Sequence, residues 1–145
     1  MMMSIMFGAT TRSNPEKQAM LDHWRLHIGR LAPSTWAAMH GVVERPSAVS
    51  LLPQVKAQTL VYLSDEDVAR PQEWTHEVVD NIPGAKLARL EGVGHSPILE
   101  VPDVVIPPTL DFMASAQRAL ETRPAPAGRR VRRRTAGPPR GSDRW

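Results

Sequence analysis

The stretch from Thr59 to His95, TLVYLSDEDVARPQEWTHEVVDNIPGAKLARLEGVGH, decides the fold class. Thr59-Leu60-Val61-Tyr62-Leu63 is a continuous run of strand formers, as expected of a strand buried on both faces of a parallel sheet. Ser64-Asp65-Glu66-Asp67 follows as a polar loop. Pro71 opens a helix expected to reach about Asn81, with Trp74, Val78 and Ile82 on its packed side, and Pro83-Gly84 stops it. Ala85 to Leu90 alternates and reads as a second strand. Strand, helix and strand within about 30 residues form a βαβ unit, which implies parallel strands and a right-handed crossover.

Outward from this unit, residues 1–52 read as a helical segment. Asn14 can cap free N–H groups and Pro15 suits a first helical position. Met20, Trp24, Ile28 and Leu31 then recur on one helical face. Pro33-Ser34 ends that helix and starts a shorter one from Thr35 to about Val43. Glu44 to Gln58 is a connector punctuated by Pro46 and Pro53. Residues 53–121 carry the α/β part. A last helix is expected from Pro108 to Glu121, with Leu110, Met113, Ala114 and Gln117 on one face. Pro107-Pro108 predicts a break near Ile106, because proline removes an N–H and clashes with the preceding turn.

The chain has 145 residues and a formal net charge of +3. That balance is a sum of two unlike parts: residues 1–121 hold 10 basic and 14 acidic side chains, whereas residues 122–145 hold 8 Arg and one acid, Asp143. The sequence pI of about 9.9 therefore belongs to the tail and not to the fold. In the tail only Val131 and Trp145 are bulky and apolar, too little to offset an ordering cost of roughly 1–2 kcal/mol per residue, so disorder is expected there. Arg129 to Arg134 could hold phosphates through charge alone, but no interleaved aromatics stack bases, so nucleic acid is not the expected partner. Cysteine is absent, which excludes a disulfide scaffold, cysteine metal sites and a thiol nucleophile. No apolar run approaches the roughly 18–20 residues that span a bilayer, and MMMSIMFG lacks the basic flank of a signal peptide. A cytoplasmic protein with no membrane contact is the expectation.

In parallel α/β sheets, ligands sit beyond the carboxyl ends of the strands. Two loops leave there, one with Asp65, Glu66 and Asp67, the other with His95. A carboxylate on one imidazole nitrogen would fix the ring as a donor and leave the other nitrogen as a general base. Gly92 and Gly94 let the loop turn sharply enough to aim His95. Asp65 and Glu66 read as solvated loop charges; a divalent cation on the cluster is the alternative, but no glycine-centred loop of oxygen ligands accompanies it. His23 and His27, four apart, either line a polar helix face or share a metal. His76 and Asp80 fail the zinc-protease pattern, since Asp80 stands where the second histidine belongs. No metal and no cofactor are expected.

Leu60 to Asp67 with Pro71, then Ile82-Pro83-Gly84-Ala85, then Gly92-Val93-Gly94-His95 with Glu100 and Pro102, together resemble the C-terminal half of α/β-hydrolases. The resemblance covers about residues 7–113 and implies a truncated α/β-hydrolase fold: a helical cap, a terminal βαβ unit and a final helix. It implies that Asp67 is the catalytic acid and His95 the catalytic base of a Ser-His-Asp triad. Phe7-Gly8 and Glu44-Arg45-Pro46-Ser47 would bound the cap, and Trp24, Trp36 and Met39 would be candidates for its lining.

The departures matter as much. The family's nucleophile sits on a G-x-S-x-G elbow, which this sequence does not contain. Gly94-His95-Ser96-Pro97-Ile98 has isoleucine where the second glycine should be. The oxyanion loop and most strands are missing, and Ser64 replaces a glycine of the acid loop. Three functions follow. The first is ester or lactone hydrolysis, with a small ester-like substrate, once an N-terminal half supplies the nucleophile. The second is a non-catalytic truncated product or binding module. The third is nucleic-acid association through the tail. The unpaired edge of the first strand also predicts self-association.

Overall fold

In a computed structural model that describes residues 2–122, two short helices, α1 (Met2–Met6) and α2 (Ala9–Ser13), flank Phe7 and Gly8. A 3-10 turn at Pro15–Lys17 leads into α3 (Gln18–Gly29), and α4 (Pro33–Val43) follows. Asn14 caps this entry as its sequence suggests, its side chain accepting from the Glu16 N–H at 2.9 Å. Met20, Trp24, Ile28 and Leu31 are half-buried, and Leu21, beside that stripe, is 2% exposed. By contrast, every residue of α4 is exposed.

Beyond a second 3-10 turn at Val49–Gln54 come β1 (Leu60–Ser64), α5 (Gln72–Asn81) and β2 (Lys86–Leu90). The strands are parallel, in the register Leu60↔Lys86 to Ser64↔Leu90. This is the βαβ unit expected from Thr59 to Leu90. Two expectations within it are corrected. Leu60, Val61 and Tyr62 are only half-buried; burial is complete only at Leu63 and Ser64, because β1 has a single neighbouring strand among the described residues. Trp74 is 55% exposed, whereas Val78 and Ile82, the other two residues expected on that side, do pack, with Thr75 and Val79 beside them.

α6 (Pro97–Glu100) and α7 (Pro102–Glu121) complete the chain's described part. The expected break near Ile106 does not occur: α7 runs unbroken through Pro107 and Pro108. Proline at these positions removes the donors for the Asp103 and Val104 carbonyls, and both residues are exposed, so water can serve them. The packed face of α7 also differs from the expected one. Leu110 and Met113 are 58% and 59% exposed. Val105, Thr109 and Phe112 face the sheet instead, because Tyr62 on β1 fixes the rotation. Its hydroxyl donates to the Val105 carbonyl at 3.2 Å and lies 2.8 Å from Thr109 Oγ1. Leu90, Val93 and Val105 form the buried cluster, with Tyr62 and Val101 against it. Among the described residues no helix is long and apolar enough to cross a membrane. The basic segment and its expected disorder lie outside the described residues from 123 onward.

Candidate active site

The register of the two strands places the acid and the histidine side by side. Ser64 and Leu90 are partners, so both carboxyl ends stop level and both loops leave from the same edge. The ladder continues into the loops: Asp65 N–H donates to the Leu90 carbonyl at 3.1 Å and Glu66 N–H to the Val93 carbonyl at 3.0 Å. Asp67 then folds back on its own loop, Oδ1 accepting the Ala69 N–H at 2.8 Å and the Arg70 N–H at 3.2 Å. This local turn is one that aspartate favours, and it fixes the carboxylate. The other oxygen, Oδ2, lies 2.9 Å from Nδ1 of His95. The two side chains are 18% and 34% exposed, so the pair is sheltered but reachable.

The second loop needs its glycines for two different reasons. Gly92 has φ 68°, a left-handed conformation that side chains resist. Gly94 is pressed against the backbone of Phe7 and Gly8, and a Cβ there would run into both. The N-terminal lead-in therefore threads directly beside the histidine loop.

Asp65 is exposed, as the sequence suggests, and Glu66 is half-buried, but both accept hydrogen bonds that the sequence does not reveal. Glu66 Oε2 accepts the Thr10 N–H at 2.8 Å and Oε1 the Thr10 hydroxyl at 2.6 Å, while Asp65 Oδ1 accepts the Val93 N–H at 3.3 Å. The three consecutive acids thus divide the labour: one ties the loops together, one ties down the N-terminal lead-in, one holds the histidine. Glu100 carries a fourth role that its sequence position leaves unstated. It is 0% exposed and accepts N–H groups from Gly8, Gly94 and Ser96. The available signal was a lone carboxylate inside the apolar string Pro97-Ile98-Leu99-Glu100-Val101.

His23 and His27 stack at 6.1 Å, with Trp24 edge-on to each, on the exposed side of α3. His76 Nε2 lies 3.5 Å from Arg89 Nη2. Among the described residues no group of three or more His, Asp or Glu is placed to hold a metal ion. A groove of about 320 Å³ between the strands and α7 is lined by Leu60, Tyr62, Lys86, Pro108 and Phe112, and includes neither Asp67 nor His95.

No protein-family model matches this sequence, and no curated protein matches it. Solved structures do. A thermophilic esterase from Thermogutta terrifontis, with malate bound, is 26% identical with a TM-score of 0.69; the match covers 79% of this chain and 42% of the esterase. Est816, an N-acyl homoserine lactone degrading enzyme, is 25% identical with a TM-score of 0.59, over 75% of this chain and 43% of its own. Rv0554 from Mycobacterium tuberculosis shares the fold, at 20% identity and a TM-score of 0.51, over 76% of this chain and 40% of that one. With the parallel strand pair, these likenesses show that the chain shares its fold with part of an esterase and part of a lactonase, both of the α/β-hydrolase type. It spans about two fifths of the length of the structures it resembles.

Proposed function

We propose that this chain is the acid-and-base part of a Ser-His-Asp hydrolase acting on an ester or lactone bond. The observation that carries the reading is the Asp67 Oδ2–His95 Nδ1 contact of 2.9 Å at the level ends of two parallel strands. The esterase and lactonase likenesses support the bond class. Residues 1–52 would be the cap-like segment, residues 53–121 the terminal part of the core. The cytoplasmic location is carried over from the sequence.

In this reading the serine nucleophile and the oxyanion donors come from a partner segment that also pairs with β1. Serine Oγ attacks the substrate carbonyl as its proton passes to His95 Nε2. Asp67 stabilises the imidazolium through Nδ1–H. His95 then gives that proton to the leaving alkoxide, and a water repeats the cycle on the acyl-serine. Without nucleophile and oxyanion donors, the chain alone is inactive.

The experiment is p-nitrophenyl acetate hydrolysis by the chain alone, and by the chain co-expressed with a segment carrying G-x-S-x-G. The expected result is no saturable turnover alone. The completed protein should turn over, and His95→Ala should lower its kcat by about 10³-fold or more. Saturable turnover by the chain alone that His95→Ala abolishes would place a nucleophile within this sequence and overturn the fragment reading.

A further inference from the structure

Glu100 is a fully buried carboxylate, at 0% exposure, and none of the ion pairs among the described residues includes it. Such a charge persists only where fixed dipoles replace the water it has lost. Here the dipoles are backbone N–H groups. Oε1 accepts from Gly94 at 3.0 Å and from Ser96 at 3.1 Å. Oε2 accepts from Gly8 at 2.8 Å and, more loosely, from Gly94 at 3.1 Å. Gly94 and Ser96 are the two neighbours of His95 in the chain. The carboxylate therefore grips the backbone on both sides of the histidine without touching its ring.

We infer that Glu100 is the positioning residue of this site. It sets the backbone from which the His95 ring meets Asp67, and through Gly8 it ties that setting to the lead-in of the helical segment. Its own anchor is short and local: its N–H donates to the Ser96 carbonyl at 3.0 Å within α6. The clamp is thus a closed loop of chain, residues 94–100, cinched by its own last side chain. The proposal rests on the hydrolase reading for the value of placing His95. The clamp itself is read without turnover, so failure of one is distinguishable from failure of the other.

The test uses the full chain, wild type, Glu100→Ala and Glu100→Gln, in two measurements. Amide hydrogen exchange is followed by mass spectrometry on peptides spanning 7–10 and 92–97, with β1 and α7 as references. Carbethoxylation of His95 by diethyl pyrocarbonate is followed against the exposed His23, His27 and His40, with and without Asp67→Asn. Glu100→Ala should speed exchange in both test segments by about ten-fold and leave the references unchanged. Asp67→Asn should change the His95 rate by about three-fold in the wild-type background and have no effect beside Glu100→Ala, the signature of lost coupling. Glu100→Gln offers one carbonyl where two oxygens served, so it should fall between the two. An Asp67 effect that persists undiminished beside Glu100→Ala overturns the proposal, as does unchanged protection of 92–97. If Glu100→Ala does not fold, Glu100→Gln decides: equal acceleration of test and reference segments means structural support only and also overturns it.

Discussion

Helix α4 and the junction around Gly94 both carry large apolar side chains, yet they end in opposite states. On α4, Trp36, Met39, Val42 and Val43 are 37%, 40%, 54% and 84% exposed. At the junction, Phe7, Val93 and Glu100 are at 1%, 2% and 0%. The difference lies in where each region's partner is. The junction draws its partners from three stretches of this same sequence, residues 7–11, 64–70 and 92–100, so its packing and hydrogen bonds close. Helix α4 has no such partner among the described residues, and neither does the outer stripe of α7 at Ile106, Leu110 and Met113. The contrast teaches that the acid–histidine geometry is self-contained, whereas the apolar faces of α4 and α7 are left open.

The largest expected effect is on assembly. The open apolar faces and the free edge of β1 should drive the chain into species larger than its 16.1 kDa monomer. Light scattering after size exclusion at low micromolar concentration checks this; a sharp monomer peak with cooperative thermal melting would mean that the open faces need no cover. Next comes the closed side. Phe7→Ala should cost about 3–5 kcal/mol, read as a drop in urea midpoint at fixed protein concentration. Gly94→Ala forces a Cβ into the Phe7–Gly8 backbone and should cost about 1–3 kcal/mol by the same measurement. Tyr62→Phe should cost only about 0.5–1 kcal/mol, because Thr109 Oγ1 still donates to the Val105 carbonyl at 2.7 Å. Val43→Ser, on the open side, should stay within about 0.5 kcal/mol of wild type. A Val43→Ser loss as large as that of Gly94→Ala would erase the contrast between the two regions.

The parts of the fold set by neighbouring residues were legible in the sequence. The apolar run at Leu60–Leu63, the stop at Pro83-Gly84 and the glycines around Val93 each act within a few positions, and they led to the parallel pair and to an acid loop, Asp65 to Asp67, beside His95; only the resemblance to α/β-hydrolases singled out Asp67. What escaped depends on contacts made across the chain. That Glu66 holds Thr10 could not be seen from a charge sitting in a loop, because a solvated acid and a stapling acid have the same local sequence; for Glu100 the apolar string signals burial but not the partner Gly8. The rotation of α7 escaped for a related reason. Leu110 and Met113 line an apolar face of their own, but the Tyr62 hydroxyl, at Val105 and Thr109, marks the other one as the packed face. Pro107-Pro108 misled because the penalty for proline depends on whether the orphaned carbonyls meet water, which periodicity alone does not reveal.

The hydrogen bond from Gly8 to Glu100 joins residues 92 positions apart, against 28 for Asp67 and His95. Closing the longer loop costs about 1 kcal/mol more chain entropy, a modest penalty at equilibrium. Its weight is felt in time. A ribosome adding about 5–20 residues per second needs on the order of 5–20 seconds to pass from Gly8 to Glu100. The same delay separates their emergence from the tunnel, and for that long Phe7 is without the loop whose Gly94 backbone lies against it. The lead-in is thus made well before the loop that houses it, and Phe7 is the apolar side chain that a chaperone would meet in between.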